Sequence, residues 1–416
     1  MIQGLMTTPE PDSEAAKITV RDGGEATSLA EPFAIEESSP RYRPLADLAF
    51  DLASRAAAFQ ASVPTSLRGA LPDLVRSMNC YYSNLIEGHD THPVDIERAM
   101  QADYSADAVK RDLQLEARAH VEVQAWIDEG GLNGNALTRD GIQEVHERFC
   151  ERLPTALLIV TDPDTGASER VVPGALRERD VRVGRHLAPS PGALPRFLER
   201  FESVYAGAGR TQAVLAAAAA HHRLLWIHPF LDGNGRVARL MSHAVLREAL
   251  GVDAIWSVAR GLARNEADYK TMLANADMPR RNDLDGRGTL SEEGLAAFIS
   301  FFLQICLDQV AFMESLVEPA RLRERIVTWA EREAAASGLH KKASTLLEAV
   351  LFRGELARGD IDDVIGGSER TARRVTSDLL SRGALVSDSP RAPVRLGLNA
   401  TLAGTWMPGL FPDRRS

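Results

Sequence analysis

Cysteine is scarce in this chain. Cys80, Cys150 and Cys306 are odd in number, far apart and without a neighbouring ligand pattern, which excludes a disulfide framework and a cysteine-based zinc site. They read as small buried side chains. Long apolar runs are also missing: the longest mostly apolar stretch, residues 295–307, is too short to cross a bilayer, so no membrane segment is expected. The first residues, Met1-Ile2-Gln3-Gly4-Leu5, lack the basic start and apolar core of a secretory signal, and a cytoplasmic location is expected. An excess of positive charge is absent too. The formal net charge of -10 argues against a chain that coats nucleic acid or anionic membrane with most of its surface, while leaving room for a local basic patch.

What is present is the composition of a soluble globular protein, 44% hydrophobic and 25% charged, with a length that suits about two or three domains. Residues 1–40 are rich in Glu, Asp, Pro, Ser and Gly and read as a disordered acidic tail. From residue 43 onward, apolar residues recur at helical spacing, and strand-like sequence is confined mainly to residues 156–161 and 179–184. The body is expected to be mainly α. Between residues 71 and 88, Leu71, Leu74, Val75, Met78, Tyr82, Leu85 and Ile86 share one helical face, and Gly88 suits the helix end. An Ala-rich helix is predicted over residues 211–227 and a second over residues 233–250, with a loop between them. Residues 343–399 read as helix, helix, Gly-Gly turn, helix and a short hairpin holding Pro390 and Pro393, the pattern of a winged helix-turn-helix.

The loop carries the chemistry. It runs His228-Pro229-Phe230-Leu231-Asp232-Gly233-Asn234-Gly235-Arg236-Val237-Ala238-Arg239. Gly233, Asn234 and Gly235 stand where a loop enters a helix, so free amides and the positive end of the helix dipole can hold an anion that approaches closely. Arg236 and Arg239, three apart, share a helical face and can grip further phosphate oxygens by charge-assisted hydrogen bonds. Asp232 is a hard oxygen ligand suited to Mg²⁺ shared with the phosphates. His228 has the pKa range of a general base near neutral pH.

These twelve residues match the motif of the Fic family at every specified position, and the chain resembles that family more weakly over about residues 41–316. The resemblance implies a helical Fic core with a small β-hairpin flap, here followed by a C-terminal winged helix-turn-helix. It divides the chain into an N-terminal helical region (41–110), a catalytic domain (111–325) and the winged module (335–400). It also implies that His228 deprotonates a Ser, Thr or Tyr hydroxyl of a target protein, which attacks the α-phosphate of ATP and expels pyrophosphate. Asp232 would hold Mg²⁺, Asn234 with the amides of Gly233 and Gly235 would steady the phosphates, Arg236 would hold the β-phosphate side and Arg239 the γ-phosphate. The intact Gly233-Asn234-Gly235-Arg236 favours nucleotidyl transfer over the phosphorylation of the related Doc kinases.

Two further segments resemble parts of the family. Ser83-Asn84-Leu85-Ile86-Glu87-Gly88 matches its inhibitory pattern, in which Glu87 would pair with Arg239 and withdraw it from the γ-phosphate while Ser83 fixes the helix end. Val181, Arg182, Val183 and Gly184 fall where the family places a flap that docks an extended stretch of the target by main-chain pairing. Around Asp268-Tyr269-Lys270 a lysine stands where the family often has a second tyrosine, which loosens the preference for adenine. In the C-terminal module Arg370, Arg373, Arg374, Arg382, Arg391 and Arg395 are placed to meet DNA, although Glu369, Asp378 and Asp388 dilute their charge. The expected activity is an AMP transferase autoinhibited by Glu87. Two alternatives stand beside it: a hydrolase that removes AMP with Glu87 essential, and a nucleotide-sensing DNA-binding regulator. A homo-oligomer is left open.

Overall fold

The computed structural model describes residues 20–162, 165–253 and 255–412. Helices dominate, as expected for a mainly α Fic fold. In chain order they begin with α1 (Tyr42–Ser62), α2 (Thr65–Arg68), α3 (Leu71–Ile86), α4 (Pro93–Met100), α5 (Ala108–Asp128) and α6 (Arg139–Cys150). Two antiparallel hairpins follow, β1 (Ile159–Thr161) with β2 (Ser168–Arg170) and β3 (Arg182–Val183) with β4 (His186–Leu187). Next come α7 (Leu194–Tyr205), α8 (Arg210–Ile227), α9 (Asn234–Leu250), α10 (Val258–Arg264), α11 (Glu266–Ala276) and α12 (Glu292–Val317).

The centre is the pair α8 and α9, joined by the motif loop. Residues 214–224 of α8 are buried without interruption, so this helix has no solvent face and sits inside the bundle. Its run Ala216–Ala220 presents only methyl groups, which lets α9, α12 and α7 pack closely around it. The helix α12 is longer than the apolar run read from sequence, and by length and composition it could cross a membrane. Here it lies against α1, α11, α10 and α8, with Leu295, Phe298, Phe302, Cys306, Val310 and Met313 in the core.

The expected disordered tail needs correction. Residues 1–19 lie outside the described residues, but residues 20–40 pack on the body. Ala30, Phe33 and Ile35 are buried, the Pro32 carbonyl accepts from Arg223 Nε and Nη2 at 3.0 and 2.7 Å, and Tyr205 Oη donates to the Phe33 carbonyl. Asp22 and Glu25 pair with Arg196. Some of the acidic residues that suggested a solvated tail, Asp22 and Glu25 with Glu31 on Arg200, help to anchor it.

The strand expected over residues 179–184 shortens to β3, because the carbonyl of Arg179 turns inward to Arg177 and Asp180 pairs with Arg21. Beyond α12 the chain forms α13 (Pro319–Ala336), α14 (Ala343–Arg353), β5 (Glu355–Leu356), α15 (Ile361–Ile365), α16 (Glu369–Ser381), β6 (Leu385–Val386), β7 (Val394–Leu396) and α17 (Ala400–Trp406). The three strands form an antiparallel sheet in the order β5, β7, β6. The end of the chain returns to α3: Tyr82 Oη donates to the Leu410 carbonyl at 3.0 Å, Arg260 donates to the Gly409 carbonyl at 2.7 Å, and Tyr81 meets Phe411 edge to face.

Candidate active site

Helix α8 ends at Ile227, and His228 caps it with φ +50° and ψ +61°. A left-handed residue other than glycine costs backbone energy and persists where the surroundings hold it. Nδ1 of His228 lies 3.2 Å from the Leu225 carbonyl. A carbonyl only accepts, so Nδ1 carries the proton and Nε2 presents its lone pair. Burial pulls the His228 pKa down to about 4, and the ring is neutral at neutral pH.

The loop then folds onto itself. Phe230 is fully buried, and its ring stacks on His146 at 3.8 Å with an interplanar angle of 2°. Nδ1 of His146 accepts from the Gly174 amide at 3.0 Å, so its Nε2 donates to the Asp232 carbonyl at 3.1 Å. This histidine of α6 is a plate beneath the loop. Asn234 departs from its expected part. Its Oδ1 accepts from the Phe230 amide at 3.0 Å and its Nδ2 donates to the Phe230 carbonyl at 2.8 Å. The side chain closes the loop and is not turned toward a phosphate. Asn234→Ala is therefore expected to lower stability by roughly 2 to 3 kcal/mol, the loss of two buried hydrogen bonds plus an orphaned amide, read by chemical denaturation.

Gly233 has φ +85° and starts α9 with no side-chain cap. The amides of Asn234, Gly235 and Arg236 find no acceptor among the described residues, which leaves the positive end of α9 open to an anion. Asp232 lies at its rim, its side chain 45% exposed, with Oδ1 accepting from the Gly233 amide at 2.6 Å and Oδ2 3.2 Å from Arg236 Nη2. Among the described residues no cluster of three or more metal-ligating side chains exists. A single half-exposed carboxylate fits a Mg²⁺ ion that takes its other ligands from phosphate and water.

Both arginines are buried and held. Arg236 pairs with Glu116 of α5, itself fully buried, and with Asp232. Burial works against its charge, but Glu116, Asp232 and Glu87 outweigh it and raise the pKa. Glu116 also bonds His89 Nδ1 at 2.7 Å. Arg239 donates to Ser83 Oγ at 2.9 Å, to the Ser83 carbonyl at 3.1 Å and to Glu87 Oε1. Burial opposes the ionisation of Glu87, yet Arg239 and Arg236 hold its pKa below the usual carboxylate value. Its carboxylate also lies over the start of α9: a Cβ on Gly235 would run into Glu87 Oε1. Ser83, Glu87, Asp232, Arg236 and Arg239 are thus brought together around one helix end.

The flap residues sit on the second hairpin. Val181 is partly buried, while Arg182, Val183 and Gly184 are exposed, and His186 Nε2 ties the hairpin to the Trp226 carbonyl at 2.6 Å. Tyr269 is buried with its hydroxyl 2.7 Å from His221 Nε2, whereas Lys270 points to solvent and pairs with Glu266. The residues that sequence reasoning missed are His89, Glu116, His146 and Arg177. For His146 a signal existed: it lies with Ile142, Val145 and Phe149 on the apolar face of α6.

The chain is similar to known proteins in sequence and fold. Residues 136–246 match the Fic/DOC family model. The protein adenylyltransferase Fic of Drosophila willistoni is 30% identical over 173 residues, 41% of this chain and 31% of that protein. Its namesake in Drosophila grimshawi is 29% identical over 171 residues, 41% of this chain and 32% of that protein. The chain thus spans about a third of the length of these relatives. A crystal structure of a Fic family protein from Desulfovibrio desulfuricans G20 aligns with a TM-score of 0.50 at 18% identity, covering 87% of this chain and 98% of that one, a likeness of fold.

Proposed function

We propose, for a chain that carries a Fic domain at residues 136–246, that it transfers AMP from ATP to a hydroxyl side chain of a target protein and is held back by Glu87. The observation that carries this reading is the open α9 N-terminus with Arg236 and Arg239 held on its first turns, preceded in the same loop by His228, whose Nδ1 is engaged and whose Nε2 is left bare. In the reaction the target oxygen attacks the α-phosphorus, its proton passes to His228 Nε2, the bond from the α-phosphorus to the bridging oxygen breaks, and pyrophosphate leaves. The amides of residues 234–236 and the two guanidiniums are fixed before substrate arrives, so the charge moving onto the leaving group meets donors already in place. Asp232 would hold Mg²⁺, which when bound neutralises phosphate charge. The side chain of Asn234 shapes the loop in this scheme, while its amide is one of the open donors.

Glu87 supports the inhibited reading through both of its contacts. It neutralises Arg239, and it lies where an anion at the start of α9 would lie. The decisive experiment is transfer of label from α-labelled ATP to protein, with γ-labelled ATP as the control, in wild type and Glu87→Gly. Label from the α position alone supports AMP transfer; label from the γ position alone would mean phosphorylation.

The low pKa of His228 sets a pH dependence. A base acts in its neutral form, so transfer by Glu87→Gly should stay level from about pH 7 to about pH 5 and fall as pH drops through about 4. A profile of kcat/KM with an acid limb near the unperturbed histidine value would contradict the buried ring described above.

We read residues 343–399 as a winged helix on the grounds of their element order and the β5, β7, β6 sheet. Eight arginines and eight carboxylates cancel over this stretch. Arg373 pairs with Glu369, Arg374 with Asp378, Arg395 with Asp388 and Arg382 with Glu333, leaving Arg353, Arg358, Arg370 and Arg391 without an ion pair among the described residues. That balance gives little support to binding of a phosphate backbone.

A further inference from the structure

Arg177 is 4% exposed and makes no ion pair among the described residues. A guanidinium taken out of water without a carboxylate is costly unless its donors are satisfied in another way. Here they are met by main-chain carbonyls. Nε donates to the His228 carbonyl at 2.7 Å, Nη1 to the Arg179 carbonyl at 2.7 Å, and Nη2 to the Pro189 carbonyl at 2.6 Å and the Ile227 carbonyl at 3.5 Å. The backbone amide of Arg177 donates to the Pro229 carbonyl at 3.0 Å.

These acceptors fall into two groups. Ile227, His228 and Pro229 are the end of α8 and the strained turn that presents the base. Arg179 and Pro189 are the two legs of the hairpin that carries β3 and β4. The helix end would otherwise leave its last carbonyls without donors, and the hairpin is short, with two paired positions and the Ala188 amide on the Val181 carbonyl. A planar fork with five donors in fixed directions can satisfy both groups at once, which a lysine cannot.

We propose that Arg177 is a positioning residue that sets the target-docking hairpin at a fixed distance from His228, so that a hydroxyl held by the hairpin arrives at Nε2. This rests on the AMP-transfer reading and adds to it the element that joins target binding to the base. Nucleotide binding does not run through it, because Arg177 touches neither the α9 N-terminus nor Arg236 and Arg239. Its charge also helps keep the His228 ring neutral, since the guanidinium is among the groups that lower that pKa.

The test compares Arg177→Lys and Arg177→Gln with their parent, Glu87→Gly, in the full chain. Hydrogen exchange at residues 181–188 and 228–230 should rise at least tenfold in both variants, with exchange in α9 and α12 unchanged. ATP affinity should stay within twofold of the parent. Transfer to protein should fall about 30- to 100-fold, with KM for the protein target rising, the penalty expected when a reacting group is misplaced by about an ångström. The acid limb of the pH profile should move up in Arg177→Gln and stay put in Arg177→Lys. Unchanged exchange at the hairpin and at residues 228–230 would overturn the proposal, as would transfer within threefold of the parent. If the parent transfers nothing, the AMP-transfer reading fails, and hydrogen exchange still decides whether Arg177 positions the hairpin. If Arg177→Gln loses its fold, the milder Arg177→Lys decides.

Discussion

Glu87→Gly should raise AMP transfer about 10- to 100-fold over wild type, the range of a coupling of one to three kcal/mol. Two effects add. Arg239 regains a free guanidinium edge, and the space over Gly235 that Glu87 Oε1 occupies becomes available to phosphate oxygens. Ser83 continues to hold Arg239 through Oγ and its carbonyl, so the arginine is released without being displaced. Glu87→Gln separates the two effects: it keeps the bulk over Gly235 and removes the charge. An increase in Gln similar to that in Gly assigns inhibition to the ion pair, and no increase in Gln assigns it to occupied space. A wild type as fast as Glu87→Gly would end the autoinhibition reading. Loss of an AMP-removing activity on the same substitution would instead make Glu87 a catalytic group.

His228→Ala in the Glu87→Gly background should cost about 10²- to 10⁴-fold in transfer, the usual worth of a positioned general base. ATP affinity should be unchanged, because the proposed scheme has α9 and its arginines hold the phosphates. The left-handed backbone at residue 228 is secured by Arg177 and by the capping bond to Leu224, so the loop keeps its path without the ring. Retention of transfer in His228→Ala would show that a different group takes the proton. Loss of ATP binding would show that the ring supports the cradle as well.

The parts of this site that were legible in the sequence are those that lie within a single short segment. His228, Asp232, Gly233, Gly235, Arg236 and Arg239 are read together because a loop entering a helix needs those residue types at that spacing. The face of α3 that ends in Ser83 and Glu87 shows in the period of its apolar residues. What the sequence could not show is the set of buried polar partners from distant segments. Glu116 lies 120 residues from Arg236 and His146 lies 86 from Asp232. Each looks, along its own helix, like an ordinary residue. Arg177 likewise reads as one more arginine in the charged stretch from Arg177 to Arg185. The side chain of Asn234 was not legible for a different reason: it could face a phosphate or its own backbone, and only the fold of the loop chooses. Residues 20–40 misled because composition counts charges without their partners.

That last segment has a practical consequence for anyone trimming this protein. A chain begun at residue 41, where composition suggests the body starts, would expose the seats of Ala30, Phe33 and Ile35 on the outside of the bundle. It would also strip Arg223 of the Pro32 carbonyl. Arg223 is fully buried at the heart of α8, with burial already drawing its pKa down to about 10. Nη1 would keep His222 Nδ1 and the Ala276 carbonyl, but Nε and Nη2 would lose their acceptor, at about 1 to 3 kcal/mol for each donor left buried, one turn from the helix end that carries the base. Shortening the chain from the front would therefore reach the reaction centre from behind.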